Sequence, residues 1–234
     1  MFLRKPFERS PLWPRVVPFL VFILLTFCQN QFGEAGRYWL YVAKSVVGAW
    51  LIWEMRPFVA ELKLNFTWEA VVVGVGVIVM WVGIDSFYPG LTALGEKLGL
   101  SKPPATPPLP WNPHLQFGEG SVLAWLVIAA RILGSSLVVP VLEEVFYRSF
   151  LYRYVAKPDF QSIPLSFFGW TPFLLTAVIF GVSHEQWLAG ILCGFAFQGL
   201  VIWKGRLGDA IVAHGIANLV LGLWVVSKGA WNFW

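Results

Sequence analysis

The residues of this 234-residue sequence best suited to chemistry gather in its C-terminal half. The run Leu142-Glu143-Glu144-Val145-Phe146-Tyr147-Arg148 sets two acids and a base directly after an apolar stretch. On a helix Glu144 and Arg148 are i,i+4 neighbours and can pair. Glu143 points about 100° away from Glu144, toward the side of Tyr147, and has no local cation. An unpaired carboxylate in a dry site is suited to take a proton from water. Taken alone, this run reads as the charged end of a helix at the membrane interface. Two further clusters change the balance: Phe180-Gly181-Val182-Ser183-His184, and His214-Gly215-Ile216-Ala217-Asn218. His214 and Asn218 are again i,i+4 and project from one helix face. A single histidine in a helix reads as a packed, hydrogen-bonded residue. Two of them, with an acid pair and an asparagine, read as one shared cavity, because buried polar groups must be satisfied and meeting is the cheapest way. His114, in a proline-rich loop, reads as an ordinary loop residue.

The elements that must position these groups are membrane helices. Hydrophobic residues make up 57% of the chain and charged residues only 13%, where soluble domains carry about 25% charged residues. The apolar residues come in blocks, roughly 16–28, 38–53, 68–84, 122–142, 171–183, 187–203 and 210–226. The expected fold is therefore all-α, a polytopic transmembrane bundle of seven to eight spans. Fourteen tryptophans fit interfacial anchoring. The eighth helix arises if Pro140 splits the fourth block, since proline lacks the N–H and clashes with the preceding turn. The net charge of +4 is small and its basic residues sit at the ends of apolar blocks, as topology signals and not as a nucleic-acid surface. Cys28 and Cys193 each lie inside an apolar run and read as small core residues. Arg4, Lys5, Arg9 and Arg15 precede the first block, which is read as a retained span with no small-x-small cleavage site after it.

The chain is read as a single integral membrane domain, 1–234. Its N-terminal spans occupy 1–99, a connector 100–119, and the catalytic core 120–234. Residues 100–113 hold six prolines and imply a stiff, extended link. Lys44 and Glu69 are the polar residues at or near membrane depth in the first part; both read as structural, Lys44 snorkelling or pairing. Gly190 and Gly194 form a GxxxG pair suited to close helix packing.

The three motifs in this order, Glu143-Glu144 to Arg148, Phe180 to His184 and His214 to Asn218, resemble the CPBP family of CAAX proteases and bacteriocin-processing membrane proteins, which includes the type II prenyl-protein endopeptidases. The resemblance covers roughly residues 138–226. In size the chain also resembles the CAAX-protease-related proteins found with bacterial exosortase systems. The resemblance implies an intramembrane endopeptidase in which Glu143 and His184 activate water while His214 and Asn218 stabilise the oxyanion. Glu144, Arg148 and Phe180 would be structural support. Glu143, His184 and His214 could alternatively supply a His2Glu set for one divalent metal such as zinc; the absence of HExxH favours a mechanism without it. The expected partners are membrane lipid and a membrane-presented peptide or protein, and the expected location is a bacterial inner membrane, multi-pass. A non-catalytic scaffold or chaperone and a proton-coupled transporter are the competing readings; no inverted repeat supports the latter.

One tension follows from this outline. Seven plain spans put every basic cluster on the cytoplasmic side, yet they separate Glu143 from His184 by about 30 Å of hydrocarbon. Shared chemistry requires short, tilted or partly buried helices around Pro140 that bring the two to similar depth.

Overall fold

A computed structural model of the chain describes residues 3–29, 31–103 and 109–234. Part of the proline-rich connector, 104–108, lies outside the described residues. The fold is all-helical. Its helices are α1 (Arg4–Arg9), α2 (Trp13–Cys28), α3 (Gly33–Met55), α4 (Trp68–Ile84), α5 (Leu91–Lys97), α6 (Pro113–Phe117), α7 (Val122–Ala156), α8 (Trp170–Gly181), α9 (Trp187–Lys204) and α10 (Gly208–Lys228). Among the described residues, four stretches are long and apolar enough to cross a membrane: Trp68–Lys97, Val122–Ala156, Trp187–Lys204 and Gly208–Lys228. α2 and α8 are apolar but shorter. Large apolar side chains such as Leu24, Val46, Val79, Leu126 and Leu137 are exposed along the helices, as a lipid-facing surface requires.

Local chemistry starts and ends these helices. Thr67 Oγ1 accepts the Ala70 N–H and caps α4, and Ser121 Oγ accepts the Ala124 N–H at 3.1 Å and caps α7. α9 and α10 end on Gly205 and Gly229, both left-handed at φ +63° and +64°. Buried residues of α2, α4, α7, α8, α9 and α10, among them Phe19, Val77, Leu142, Phe180, Phe197 and Ile211, form the main core. The glycine pair of α9 faces α8. A Cβ on Gly190 would stand 2.8 Å from the Gly181 Cα, and one on Gly194 2.9 Å from the Ala177 Cα, so these backbones touch directly.

Pro140 does not split the fourth block, which corrects the eight-helix alternative in that respect. α7 runs unbroken for 35 residues. It absorbs the proline by widening: Gly134–Val138 and Val145–Leu151 are π-helical turns flanking the α-helical Val139–Glu144. In the first of them the Val139 N–H bonds to the Gly134 carbonyl, five residues back. The next bond in that series would join the Pro140 nitrogen to the Ser135 carbonyl, and proline has no hydrogen to give.

The tension over depth is resolved by helix length. At 1.5 Å per residue α7 is about 52 Å long and the 12-residue α8 only about 18 Å. α8 follows α7 through the loop 157–169 and packs back along its C-terminal part. Glu143 lies 13 positions before Ala156, about 20 Å along α7, and His184 follows in the turn three positions past Gly181, just beyond the end of the roughly 18 Å α8. A helix too long and a helix too short thus bring the two residues level.

The basic helix ends are tied by ion pairs. Glu61, in the loop after α3, bonds Arg15 at 2.7 Å and also pairs with Arg153, and Ser149 Oγ donates to it at 2.7 Å. Lys204 pairs with Glu69 at 2.7 Å. Lys44 finds no carboxylate among the described residues; its Nζ donates to Thr26 Oγ1 at 3.0 Å.

Candidate active site

Glu143, His184, His214 and Asn218 line one cavity of about 160 Å³ in the middle of the bundle. That is close to the size of an engineered apolar cavity, about 150 Å³, that admits benzene. Trp81 from α4, Cys193 and Phe197 from α9, and Phe233 from the C-terminal turn complete its wall.

Each polar residue is aimed by a neighbour. His184 follows the end of α8, and its Nδ1 lies 2.8 Å from the Phe180 carbonyl oxygen. A carbonyl only accepts, so Nδ1 carries the proton and Nε2 keeps its lone pair. The Phe180 ring lies 4.9 Å from the His184 ring and 4.4 Å from the Arg148 guanidinium, and so joins the first and second motifs. Trp81 meets His184 edge-on at 5.6 Å.

Glu144 and Arg148 form an i,i+4 ion pair at 3.1 Å, and both are essentially fully buried. The pair is poorly aligned for hydrogen bonding: Arg148 Nε and Nη1 and Glu144 Oε2 make no hydrogen bond among the described residues. Glu144 does more than hold the helix, however. Its Oε1 lies 2.9 Å from His214 Nδ1. Glu144 also pairs with the Arg148 guanidinium, so its oxygen is read as the acceptor and His214 Nδ1 as the donor, which turns Nε2 toward Glu143, whose Oε2 is 4.0 Å away. Phe197 stacks on the imidazole at 5.0 Å and 19°. Glu143 Oε2 is buried and has no hydrogen-bond partner among the described residues. The acid pair therefore divides its work: Glu144 is neutralised and orients a histidine, while Glu143 remains a bare carboxylate on the cavity.

Asn218 Nδ2 donates to the Ser135 carbonyl at 2.8 Å. This is the carbonyl orphaned by Pro140, so the third motif repairs the first π turn. One amide N–H remains for other work. Gly215 permits the approach, since a Cβ there would stand 2.8 Å from the Ser136 carbonyl oxygen.

With all three motifs converging on one cavity, the comparison with known families has a geometric meaning. Residues 123–220 match the family model of the type II CAAX prenyl endopeptidases, Rce1-like. The resemblance read from the three motifs is borne out over that stretch. It supports a CAAX-protease-type membrane endopeptidase in general, with a protein or peptide as substrate. No curated protein and no solved structure gives a significant match to the chain.

The sequence did not point to Trp81, Cys193, Phe197 or Phe233, nor to the bond between Glu144 and His214. Those two residues stand 70 positions apart, and no local spacing links them. The i,i+4 step from Cys193 to Phe197, in register with the glycine pair, is the one local signal that could have found two of them. His114 sits in α6, where its Nδ1 accepts the Gly120 N–H at 3.3 Å. Among the described residues no three His, Cys, Asp or Glu side chains converge closely enough to hold a metal ion. Within the Glu143, His184 and His214 set, Glu143 Oε2 and His214 Nε2 approach to 4.0 Å, and His184 does not close with them into a three-ligand cluster.

Proposed function

We propose that this protein is an intramembrane endopeptidase that hydrolyses a peptide bond of a membrane-associated protein or peptide. The observation that carries the reading is the meeting of Glu143, His184, His214 and Asn218 on one small cavity. Glu143 takes one proton from a water molecule while His184 Nε2, left as an acceptor, orients the other. The resulting hydroxide attacks the scissile carbonyl, and the carbonyl oxygen becomes an oxyanion. Asn218 offers it the amide N–H not used by Ser135. His214 offers Nε2–H when the ring carries both protons, a charge that the Glu144 carboxylate on Nδ1 compensates. Donors held in place in a dry site are worth far more than in water. Glu143, now protonated, returns its proton to the leaving amine as the C–N bond breaks. The products are then a carboxylic acid, which still holds the second water proton, and an amine; His184 Nε2 accepts that proton and passes it to solvent, leaving a carboxylate.

The family match and the cavity both support a peptide substrate; the identity of the peptide rests on experiment. The full-length protein reconstituted in proteoliposomes with a library of lipidated and unlipidated peptides is expected to generate discrete new termini, read by mass spectrometry. Chelator-treated protein should cleave equally well. Folded protein that cleaves nothing in the library would favour the scaffold or chaperone reading. Cleavage abolished by the chelator and restored by zinc would return metal to the mechanism.

A further inference from the structure

A second, larger cavity of about 1190 Å³ opens among the end of α2, the N-terminal half of α3, Arg131 of α7, the connector and the C-terminal turn. It is lined by Arg37, Lys44 and Arg131, with Glu34 as the acid on its wall. Among the described residues none of these three cations pairs with a carboxylate, although every one of Arg15, Arg148, Arg153, Lys204 and Arg206 does.

The three cations differ in what they still need. Arg37 is largely spent: it donates to the carbonyls of Leu109 and Pro110 at 2.9 and 2.8 Å and so pins the connector. Lys44 is 94% buried, as its relative exposure of 6% states. It lies 11 positions into α3, about 17 Å along the axis, with a single hydrogen bond, to Thr26. Arg131 makes no side-chain hydrogen bond among the described residues. Its guanidinium lies over three rings, Trp111 at 4.2 Å, Tyr41 at 4.9 Å and Trp234 at 5.2 Å. Aromatic rings supply a π-face and no hydrogen-bond acceptor of the carboxylate kind, so the guanidinium N–H donors have no acceptor among the described residues. The aromatic frame is rigid, because Tyr38, Tyr41, Trp111 and Val127 form their own buried cluster.

We propose that this cavity is a binding site for a phosphate group, held by Arg131 and Lys44 and most naturally supplied by the head of an anionic lipid. A planar guanidinium and an ammonium directed at one space match the charge and the acceptor oxygens of phosphate. Two observations favour the lipid over a free ion. The cavity is far larger than a phosphate, reaching from Gly33 and Glu34 at the start of α3 inward to Lys44, and tryptophans of the interfacial type form its wall. The site is distinct from the catalytic cavity: the two share no lining residue.

The test uses the full chain purified in a neutral detergent. Thermal unfolding is followed during titration with phosphatidylglycerol, phosphatidylcholine or inorganic phosphate. Phosphatidylglycerol is expected to raise the melting temperature saturably and phosphatidylcholine not to. The Arg131→Gln/Lys44→Met double variant should lose at least tenfold in apparent affinity for phosphatidylglycerol. A shift by phosphatidylglycerol without one by inorganic phosphate supports the lipid source; an equal shift by inorganic phosphate supports the phosphate site with a soluble source. Equal response to phosphatidylglycerol and phosphatidylcholine, with none to phosphate, overturns the proposal. A wild-type measurement guards against a double variant that does not fold. Phosphatidylglycerol with a photoreactive head group should label peptides containing Lys44, Trp111 or Arg131, and labelling confined to other regions would equally overturn it.

Discussion

At the scale of single residues, the acid pair shows how two identical side chains acquire different tasks from their neighbours. Glu144 is bound to Arg148 and to His214, whereas Glu143 faces the cavity with one oxygen unpaired. Removing one member of a buried ion pair strands the other and costs about 3–5 kcal/mol. Arg148→Ala is therefore expected to lower stability by an amount of that order, seen as reduced yield and a lower melting temperature. Glu144→Gln keeps the shape and tests the orienting role. The folded fraction should cleave substrate more slowly, because an amide holds His214 without compensating its charge. Wild-type melting and wild-type cleavage in both variants would refute the coupling of Glu144 to Arg148 and His214.

At the scale of elements, the site depends on departures from a regular helix. Pro140 removes a backbone donor, the helix widens into a π turn, and Asn218 reaches across from α10 to bond the Ser135 carbonyl. The asparagine thus serves the fold, and in the proposed mechanism the reaction as well. Asn218→Ala should cost about 1–3 kcal/mol of stability, the usual penalty for an orphaned buried group. As an oxyanion donor it should also cost roughly 10²–10³-fold in turnover. In the double variant Asn218→Ala/Pro140→Ala a backbone N–H is restored beside Ser135, so stability should recover while turnover does not. Recovery of both would show that Asn218 acts only through the fold. This division was not legible in the sequence. The i,i+4 spacing of His214 and Asn218 announced a shared face, and Pro140 announced an irregularity. How the chain repairs a missing hydrogen bond depends on which helix packs beside it, and that is a long-range choice.

At the scale of the whole molecule, the helical membrane class was legible because it rests on block hydrophobicity, a property that survives any detail of packing. The depth of the site was legible only as a contradiction. Spans of uniform length would separate Glu143 from His184, and the structure resolves this with the long α7 and the short α8. The basic face of the bundle is locked by Glu61 with Arg15, Arg153 and Ser149. Burial alone would raise the Glu61 carboxyl, but the Arg15 charge and the hydrogen bonds from Arg15 and Ser149 outweigh it and hold the group at about 2. A carboxyl depressed in the folded state contributes stability above its unfolded value, near 4.3, and loses it as pH falls toward the folded one. The melting temperature is therefore expected to drop between about pH 4.5 and pH 2. Glu61→Gln should lower stability at neutral pH and flatten that drop. An unchanged acid limb in the variant would count against the lock.

The central claim is that Glu143 is the base of a shared catalytic site, and its isosteric replacement tests this most directly. Wild-type and Glu143→Gln proteins are reconstituted in the same proteoliposomes, matched for melting temperature, and compared for the rate of cleavage of one identified peptide. A positioned general base contributes roughly 10²–10⁴-fold, so the variant is expected to slow by at least about a hundredfold with its fold intact. Cleavage by folded Glu143→Gln protein at the wild-type rate would contradict the account.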